Sequence, residues 1–299
     1  MYLVIDIGGT DIKYALMDAK ASIVKKSKTE TPMAKGSTVE DLLVVIEKMI
    51  QEFAAELQGI AISMPGIIDS GKGYAYTGGS VTYLAKQHLA DLIQDRFEIP
   101  ATIENDGKCS ALAELWQGSL KDCRNGAVVL LGTGVGGGLI IDGKLYKGSS
   151  FAAGELSYML LDHHQEFSFF GEDGSSRGLI NQAREKLSIT SEGFNGIEFF
   201  ELVKQGDVVA KEVLEAYTQT LAKQLYNLQA VLDLDIFAIG GGISQQPLLI
   251  QSLEAQIKDY CENHPLKSML PFIPQPKITA CSFYNDSNLI GALYAHLSS

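Results

Sequence analysis

The chain has 299 residues, of which 46% are hydrophobic and 20% charged, and its formal net charge is −12 at pH 7. This length and composition predict a folded protein with a large core, most simply arranged as two domains. The acidic balance argues against nucleic-acid binding through a general basic surface.

The sequence shows no pattern typical of a signal peptide, a membrane span or a disulfide framework. No apolar run approaches the roughly 20 residues of a membrane span, and the N-terminus MYLVIDIGG has no basic region before its apolar run, so we expect neither a signal peptide nor a membrane partner. We therefore expect a cytoplasmic protein. The cysteines are too scattered for a C-x-x-C pair or a disulfide framework: they are Cys109, Cys123, Cys261 and Cys281.

The first element in the chain is a predicted β-hairpin, VIDIGGTDIKYALMD at residues 4–18. The stretch VVLLGTGVGGGLIID, residues 128–142, has the same order of strand, glycine turn and strand. When Gly8 is laid on Gly132, Asp18 falls on Asp142. This internal repeat suggests two related halves, each with a phosphate-binding turn.

The second glycine turn formally matches the dinucleotide fingerprint G-x-G-x-x-G at Gly132, Gly134 and Gly137. That fingerprint requires a helix after the loop. Here LIIDGKLY follows, with Asp142-Gly143 marking a tight turn between strands. We therefore reject a dinucleotide site and keep two interpretations: an anion-binding nest of backbone N–H groups or a flexible hairpin connection.

Between the two hairpins, helices and strands alternate. The pattern predicts, in order, a helix over STVEDLLVVIEKMIQEF, a buried strand GIAISM, a helix over LAKQHLADLIQDRF, a strand ATIE and a helix over NDGKCSALAELWQG. Beyond the second hairpin it predicts a helix from about Asp207 to Leu232, a strand DIFAI, a helix through LLIQSLEAQIKDYC, a strand KITAC and a helix from Ser287 to Leu297. This alternation indicates an α/β fold with largely parallel sheets.

Several polar and glycine positions are candidates for a site. Gly66 to Lys72 spells G-x-x-x-x-G-K, but Gly73 stands where a P-loop needs Ser or Thr, so we reject that motif. Asn105 and Asp106 lie where a strand ends and a helix begins. Either residue fits a helix cap, and a carboxylate there also fits a general base for phosphoryl transfer.

Two further motifs are ambiguous when taken alone. Glu155 stands in the small-residue stretch AAGE, and an isolated glutamate is usually a solvated surface residue. The segment IGGGIS follows a predicted strand, where its bare backbone fits either a flat adenine ring or a sharp turn into the next helix.

The order of these motifs resembles the ROK family of sugar kinases over essentially the whole chain. The order is DIGGT, PG, ENDG, LGTGVGGG, GE, GGG and a closing DSNLIGA. The resemblance implies the actin-like, hexokinase-like ATPase fold, in which two ribonuclease-H-like domains close on ATP and a sugar. We accordingly expect domains at residues 1–117 plus 287–299 and at residues 118–286.

The resemblance also implies residue roles. The first phosphate turn would be Gly8, Gly9 and Thr10, with Asp6 near Mg²⁺ directly or through water and Lys13 at the polar position that follows. The second would be Gly132, Thr133 and Gly134, with Gly240, Gly241 and Gly242 at the adenosine. Asp106 matches the catalytic base, and Gly66, Asn105, Glu155 and Tyr158 fall on the sugar side.

The sequence departs from the family pattern at Tyr158. Many members have His there, followed by a cysteine-rich zinc motif. Here LLDHHQEFSFFGEDGSS contains no cysteine, and the adjacent His163 and His164 cannot replace a set of thiolates, so we expect no structural zinc. The Tyr-Met pair resembles the branch that includes β-glucoside kinases.

The expected reaction moves the γ-phosphoryl of ATP to the 6-hydroxyl of a hexose or hexoside, with glucose or a β-glucoside favoured. N-acetylmannosamine or N-acetylglucosamine phosphorylation is the alternative within the kinases. A sugar-sensing regulator would need a helix-turn-helix domain ahead of DIGGT, for which we expect no room here. A non-catalytic sugar-binding protein would not need Asp106 and both phosphate turns. The family suggests a homodimer.

Overall fold

The computed structural model describes residues 1–53, 56–162, 168–191, 193–272 and 275–299. The chain forms two compact units. Unit 1 contains Met1–Gly118, Leu145–Ala153 and Asn285–Ser299, and unit 2 contains Ser119–Lys144 and Gly154–Tyr284. None of the helices in the described ranges combines the length and apolar character that a membrane span requires.

The strands of the described residues fall into two five-stranded sheets and two short hairpins. In chain order they are β1 (Tyr2–Ile7), β2 (Asp11–Met17), β3 (Ile23–Glu30), β4 (Gly59–Met64), β5 (Ile68–Asp69), β6 (Tyr74–Ala75), β7 (Ala101–Asn105), β8 (Gly126–Leu131), β9 (Val135–Ile141), β10 (Lys144–Tyr146), β11 (Leu160–Asp162), β12 (Ser168–Phe169), β13 (Ile236–Gly240) and β14 (Ile278–Ala280).

The same ranges also contain the α-helices. They are α1 (Val39–Phe53), α2 (Leu89–Phe97), α3 (Asp106–Gln117), α4 (Phe170–Asp173), α5 (Ser176–Lys186), α6 (Gly196–Gln205), α7 (Val208–Leu232), α8 (Pro247–Asn263) and α9 (Ser287–Leu297). Short 3₁₀ turns at Thr82–Leu84, Leu156–Tyr158 and Gly242–Gln245 connect some of them.

The sheet of unit 1 has the order β3-β2-β1-β4-β7, and that of unit 2 has the order β10-β9-β8-β13-β14. In each, a glycine-turned antiparallel hairpin supplies the first strand of a parallel trio: β1-β4-β7 in unit 1 and β8-β13-β14 in unit 2. Both predicted hairpins are therefore confirmed. The expectation of largely parallel sheets is only partly right, because β2 and β9 pair antiparallel with the first strand of each trio and β3 pairs antiparallel with β2.

The parallel strands are the most buried part of unit 1. All six residues of β4 are buried, as are five of the six in β1, which is typical of parallel strands covered on both faces. The amphipathic helix α1 packs Leu42, Ile46 and Met49 into this core. Helix α9 lies so close to α3 that a Cβ on Gly291 would meet the carbonyl of Cys109 at 1.7 Å, which explains the glycine there.

Most predicted elements match, with some differences at their ends. The predicted helix over LAKQHLADLIQDRF forms only from Leu89, because Lys86 has a left-handed φ of 61° and its N–H pairs with Ala75 O. Strand β3 and helices α5 and α6 were not predicted. The tight turn at Asp142-Gly143 is confirmed, with both residues at positive φ, 52° and 71°. None of the four cysteines, all within the described residues, forms a disulfide.

Candidate active site

The candidate site of unit 1 lies where its three parallel strands end at the same edge of the sheet. Strand β1 carries Asp6 near its end, β4 runs into Pro65-Gly66, and β7 ends at Asn105. Because ligands of open α/β sheets bind beyond the carboxyl ends of parallel strands, this edge is where a site is expected.

Asp6 is a buried carboxylate with fixed hydrogen-bond partners. Its Oδ1 accepts from Ser63 Oγ at 2.9 Å and from Asn288 Nδ2 at 3.0 Å. Burial raises the pKa of Asp6, and these two bonds and the positive charges of Lys13 and Lys26 oppose the rise. A further positive charge, such as a metal ion, would therefore be stabilising here.

The first glycine turn joins β1 to β2 immediately after Asp6. Gly8 N–H donates to Asp11 O at 3.1 Å, and the buried Thr31 donates its hydroxyl to Gly8 O at 2.7 Å. Thr10, at the tip of this turn, is exposed. Lys13 pairs directly with Asp6 across the hairpin, which puts its side chain on the same face of the sheet.

Asn105 is a helix cap and a tether at once. Its Oδ1 accepts from Lys108 N at 3.0 Å, which caps α3, and its Nδ2 donates to Gly66 O at 2.9 Å. The capping interpretation is thus confirmed for Asn105. Gly66 has a φ of 112°, and a Cβ on it would lie 2.1 Å from Thr77 O, so only glycine fits at this turn.

Asp106 is the first residue of α3 and is not the cap. Its Oδ1 accepts from Gly107 N at 2.8 Å, and the side chain is only partly buried. The N-terminus of a helix favours the ionised carboxylate. Asp106 is therefore a solvent-reachable carboxylate held against a rigid helix start.

The fully buried thiol of Cys109 is influenced by several carboxylates of the candidate site. Desolvation raises its pKa well above the usual value, and the charges of Glu104, Asp6 and Asp106 add to the rise. All three carboxylates therefore act on the same buried thiol. Asp6 on β1 and Asp106 at the start of α3 both lie at the carboxyl ends of parallel strands of this sheet.

An ion pair between the buried Glu104 and the partly exposed Lys147 was not predicted from the sequence. Glu104 is 1% exposed, and its Oε2 lies 2.6 Å from Lys147 Nζ, while its Oε1 accepts from Asn105 N at 2.9 Å. Lys147 also bonds the hydroxyl of Ser70. This pair fastens the segment Leu145–Ala153 beside the end of β7.

Two serines in unit 2 hold the turn of Gly132, Thr133 and Gly134. Ser176, the first residue of α5, donates both its N–H, at 3.0 Å, and its hydroxyl, at 2.6 Å, to Gly132 O. Ser157 accepts from Val135 N and donates to Val135 O, both at 3.0 Å. The dipeptide Ser175-Ser176 could have indicated the start of a helix in the sequence, because Ser175 caps α5.

The segment Gly240–Gly242 lies beside this turn in unit 2. Gly241 has a φ of 93°, and a Cβ there would lie 2.2 Å from Leu131 O, one residue before Gly132. A Cβ on Gly242 would meet nothing within 4 Å, and one on Gly132 only Gly134 O at 3.8 Å. The structure therefore brings the expected phosphate turn and adenosine segment together, with open backbone that fits a flat ring and a phosphate.

Glu155 and Tyr158 flank one short turn of unit 2. Glu155 precedes the 3₁₀ helix Leu156–Tyr158, and its carbonyl accepts from Tyr158 N at 3.2 Å. The side chain of Tyr158 is 74% exposed. His163 and His164, to which the expected absence of structural zinc refers, lie outside the described residues.

Comparisons with known proteins agree over the full length of the chain. A β-glucoside kinase of Klebsiella pneumoniae is 28% identical over 301 residues, covering 97% of this chain and 93% of that protein. An N-acetyl-D-glucosamine kinase of Photobacterium profundum is 28% identical over 312 residues, covering 99% of both.

A solved structure of a ROK family protein from Streptococcus pneumoniae, in complex with sucrose, superposes with a TM-score of 0.88 at 29% identity, covering 99% of this chain and 98% of that one. This match confirms the actin-like, hexokinase-like ATPase fold. The ROK family model matches residues 2–298. The chain therefore belongs to the ROK family, as an enzyme of its sugar-kinase class.

Proposed function

We propose that this kinase transfers the γ-phosphoryl group of ATP to the 6-hydroxyl of a hexose or hexoside, with Asp106 as general base. The observation that carries the proposal is the pair Asn105-Asp106 at the end of β7. Asn105 is fixed between α3 and Gly66, while Asp106 is left partly exposed beside it.

The proposed chemistry follows from this placement. Asp106 would accept the proton of the attacking hydroxyl, and the positive end of α3 would keep its carboxylate ionised between turnovers. Because phosphoryl transfer depends on positioning and charge stabilisation, a base on a rigid helix start suits it better than one on a loop.

The glycine turns and Asp6 fit ATP and Mg²⁺. The backbone N–H groups of Gly8–Thr10 and Gly132–Gly134 would bind phosphate oxygens, and Gly240–Gly242 would lie against the adenosine. Asp6 would hold Mg²⁺, directly or through water, with Lys13 beside it. When bound, Mg²⁺ neutralises charge on the phosphates of the nucleotide.

The preferred acceptor in this proposal is glucose or a β-glucoside. It is supported by Tyr158, which stands where many family members have His, and by the similarity to a β-glucoside kinase. Gly66, Asn105, Glu155 and Tyr158 would contact its hydroxyl groups. The similarity to an N-acetyl-D-glucosamine kinase makes N-acetylhexosamines the second candidates.

A panel assay tests the proposal directly. ADP release would be measured with glucose, methyl β-glucoside, N-acetylglucosamine and N-acetylmannosamine, each with and without Mg²⁺, and the phosphorylated carbon identified by NMR. Mg²⁺-dependent release with phosphate on carbon 6 supports the proposal. Phosphate on another carbon, or no release with any sugar, overturns it.

We also propose that the chain is a homodimer, as the family resemblance implies. Sedimentation at several concentrations tests this separately, and a single species of one-chain mass at all of them would refute it.

A further inference from the structure

A row of exposed and half-buried aromatic rings in unit 1 has no role in the proposed chemistry. Phe151 stacks on Tyr76 with centroids 6.0 Å apart and planes at 23°, and Tyr76 meets Tyr74 edge-on at 5.0 Å. Tyr74 in turn contacts the ring of His88 at 4.7 Å. Tyr76 is 44% exposed. We call Phe151, Tyr76, Tyr74 and His88 the aromatic row.

The aromatic row is joined to the expected sugar side by short contacts. Tyr76 N donates to Ile67 O at 2.9 Å, and Thr77 Oγ1 accepts from Ile67 N at 2.9 Å. Ile67 follows Gly66, whose carbonyl accepts from Asn105. Tyr76 is thus connected to the neighbour of Asp106 through one turn of backbone.

The other end of the row is fixed just as firmly. Phe151 has a left-handed φ of 62°, a conformation that is uncommon for a bulky residue and that needs support from its surroundings. That support comes from the segment that Lys147 fastens to Glu104 and Ser70. Ala153 N also donates to Lys147 O at 3.2 Å. The ion pair beside Asp106 therefore holds Phe151 over Tyr76.

We propose that the aromatic row is a second subsite of this kinase, which binds the aglycone ring of a β-glucoside while the glucose ring lies at Asp106. This inference rests on the proposed function and extends it. Aromatic faces carry negative charge density that attracts the edges of flat rings, and the occupant would be an aryl ring or the apolar face of a second pyranose. A free hexose carries no aglycone to occupy the row, so the subsite would be a determinant of glucoside preference.

The test compares two acceptors that differ only in the aglycone. The kcat/KM for phenyl β-glucoside and for methyl β-glucoside would be measured for the parent chain, Tyr76→Ala and Phe151→Ala, with cellobiose as a third acceptor. We expect each variant to lose about tenfold in kcat/KM for phenyl β-glucoside, mainly through KM, and less than about twofold for methyl β-glucoside. A parallel loss with cellobiose would extend the subsite to a second sugar ring, and an unchanged value would restrict it to aryl aglycones.

Two controls separate packing from ring recognition. Tyr76→Phe keeps the ring and should retain the preference for phenyl β-glucoside, whereas Tyr146→Ala removes a ring of similar exposure, 50%, outside the aromatic row and should change neither acceptor.

Equal losses with both β-glucosides, or no loss with either, would overturn the subsite. So would variants whose KM is unchanged but whose oligomeric state, measured by sedimentation, differs from that of the parent chain. If the parent chain phosphorylates no sugar or glucoside at all, the proposed function itself fails, which is a distinct outcome.

Discussion

Lys147 Nζ lies 2.6 Å from Oε2 of Glu104, a carboxylate with 1% exposure. The lysine comes from a segment that returns to unit 1 after the second hairpin, and the glutamate directly precedes Asn105-Asp106. The pair therefore couples the fold of that segment to the position of the proposed base.

Lys147→Met is expected to destabilise the chain by about 3 kcal/mol, because it leaves Glu104 charged and buried without its partner. Urea unfolding measures this. Lys28→Met, which removes an exposed pair with Asp11 at 3.5 Å, should change stability by less than about 1 kcal/mol. The double variant Glu104→Gln, Lys147→Met should regain part of the loss. If Lys147→Met is as stable as the parent, the pair is not a structural anchor.

Two substitutions of Asn105 distinguish the effects of its two side-chain hydrogen bonds, one to Lys108 N and one to Gly66 O. Asn105→Ala should cost about 1–2 kcal/mol, because α3 loses its cap. Asn105→Asp keeps an acceptor for Lys108 N but has no N–H to donate to Gly66 O. We expect Asn105→Asp to recover most of the stability lost in Asn105→Ala in urea unfolding, yet to keep a raised KM for the sugar. A variant Asn105→Asp with parental KM would show that the tether to Gly66 does not shape the sugar side.

Local patterns predicted the elements that position the site. Both hairpins, β4, β7 and the span of α9 follow from apolar periodicity and from glycine turns, because these elements bury regular faces. The order of motifs indicated the family. Strand β3 could not be read in this way, since IVKKSKTE is exposed or half-exposed along its whole length and lacks a buried face.

Long-range pairings were beyond local reasoning. Nothing near Glu104 or Lys147 in the sequence indicates that they pair, and Asn288 reaches Asp6 from the other end of the chain. Helix α6 was not predicted, although the sequence carries a signal for its start: Asn195 and Glu198 form a capping box. The site residues that sequence patterns supplied are backbone turns and strand ends, while their supporting partners required the fold.

Asp6→Asn should stabilise the chain at neutral pH while lowering kinase activity. Burial raises the pKa of Asp6 above its ordinary 3.8, so the folded state holds that proton more tightly than the unfolded state does. The ionised carboxylate therefore lowers stability at pH 7, and its cost disappears as the pH falls toward 3.8. In urea unfolding, the stability gain of Asp6→Asn should therefore shrink as the pH is lowered from 7 toward 3.8. The kinase activity of this variant should fall by at least about 100-fold.

Asp18 serves as a control, because its pKa is shifted in the opposite direction to that of Asp6. Backbone N–H groups of Ser22 and Lys20 lower the pKa of this exposed carboxylate. Asp18→Asn should therefore lose stability above the unfolded pKa and match the parent in acid, with activity unchanged. Equal pH dependence of the two variants would contradict the assignment for Asp6.

Asp106→Asn should reduce turnover by about 10²–10⁴-fold, because it removes the proposed proton acceptor without changing side-chain size. A coupled ADP-release assay gives kcat, and calorimetry with the sugar alone gives its affinity, which we expect to change little. The first residue of α3 would lose a negative charge near the helix N-terminus, so a small loss of stability, about 0.5 kcal/mol, accompanies it. Retention of most of the turnover would refute the assignment of the base.

Gly241 and Gly242 are adjacent glycines with opposite surroundings. Gly241→Ala would put a Cβ 2.2 Å from Leu131 O at a φ of 93°, so we expect a loss of about 2–4 kcal/mol in urea unfolding. Gly242→Ala meets nothing within 4 Å, and its stability should stay within about 1 kcal/mol of the parent. If this segment faces the adenosine, Gly242→Ala should raise KM for ATP several-fold and leave KM for the sugar unchanged, because the new methyl group would enter only the space of the nucleotide. A Gly242→Ala variant with parental KM for ATP would place the adenosine elsewhere, whatever Gly241→Ala does to stability.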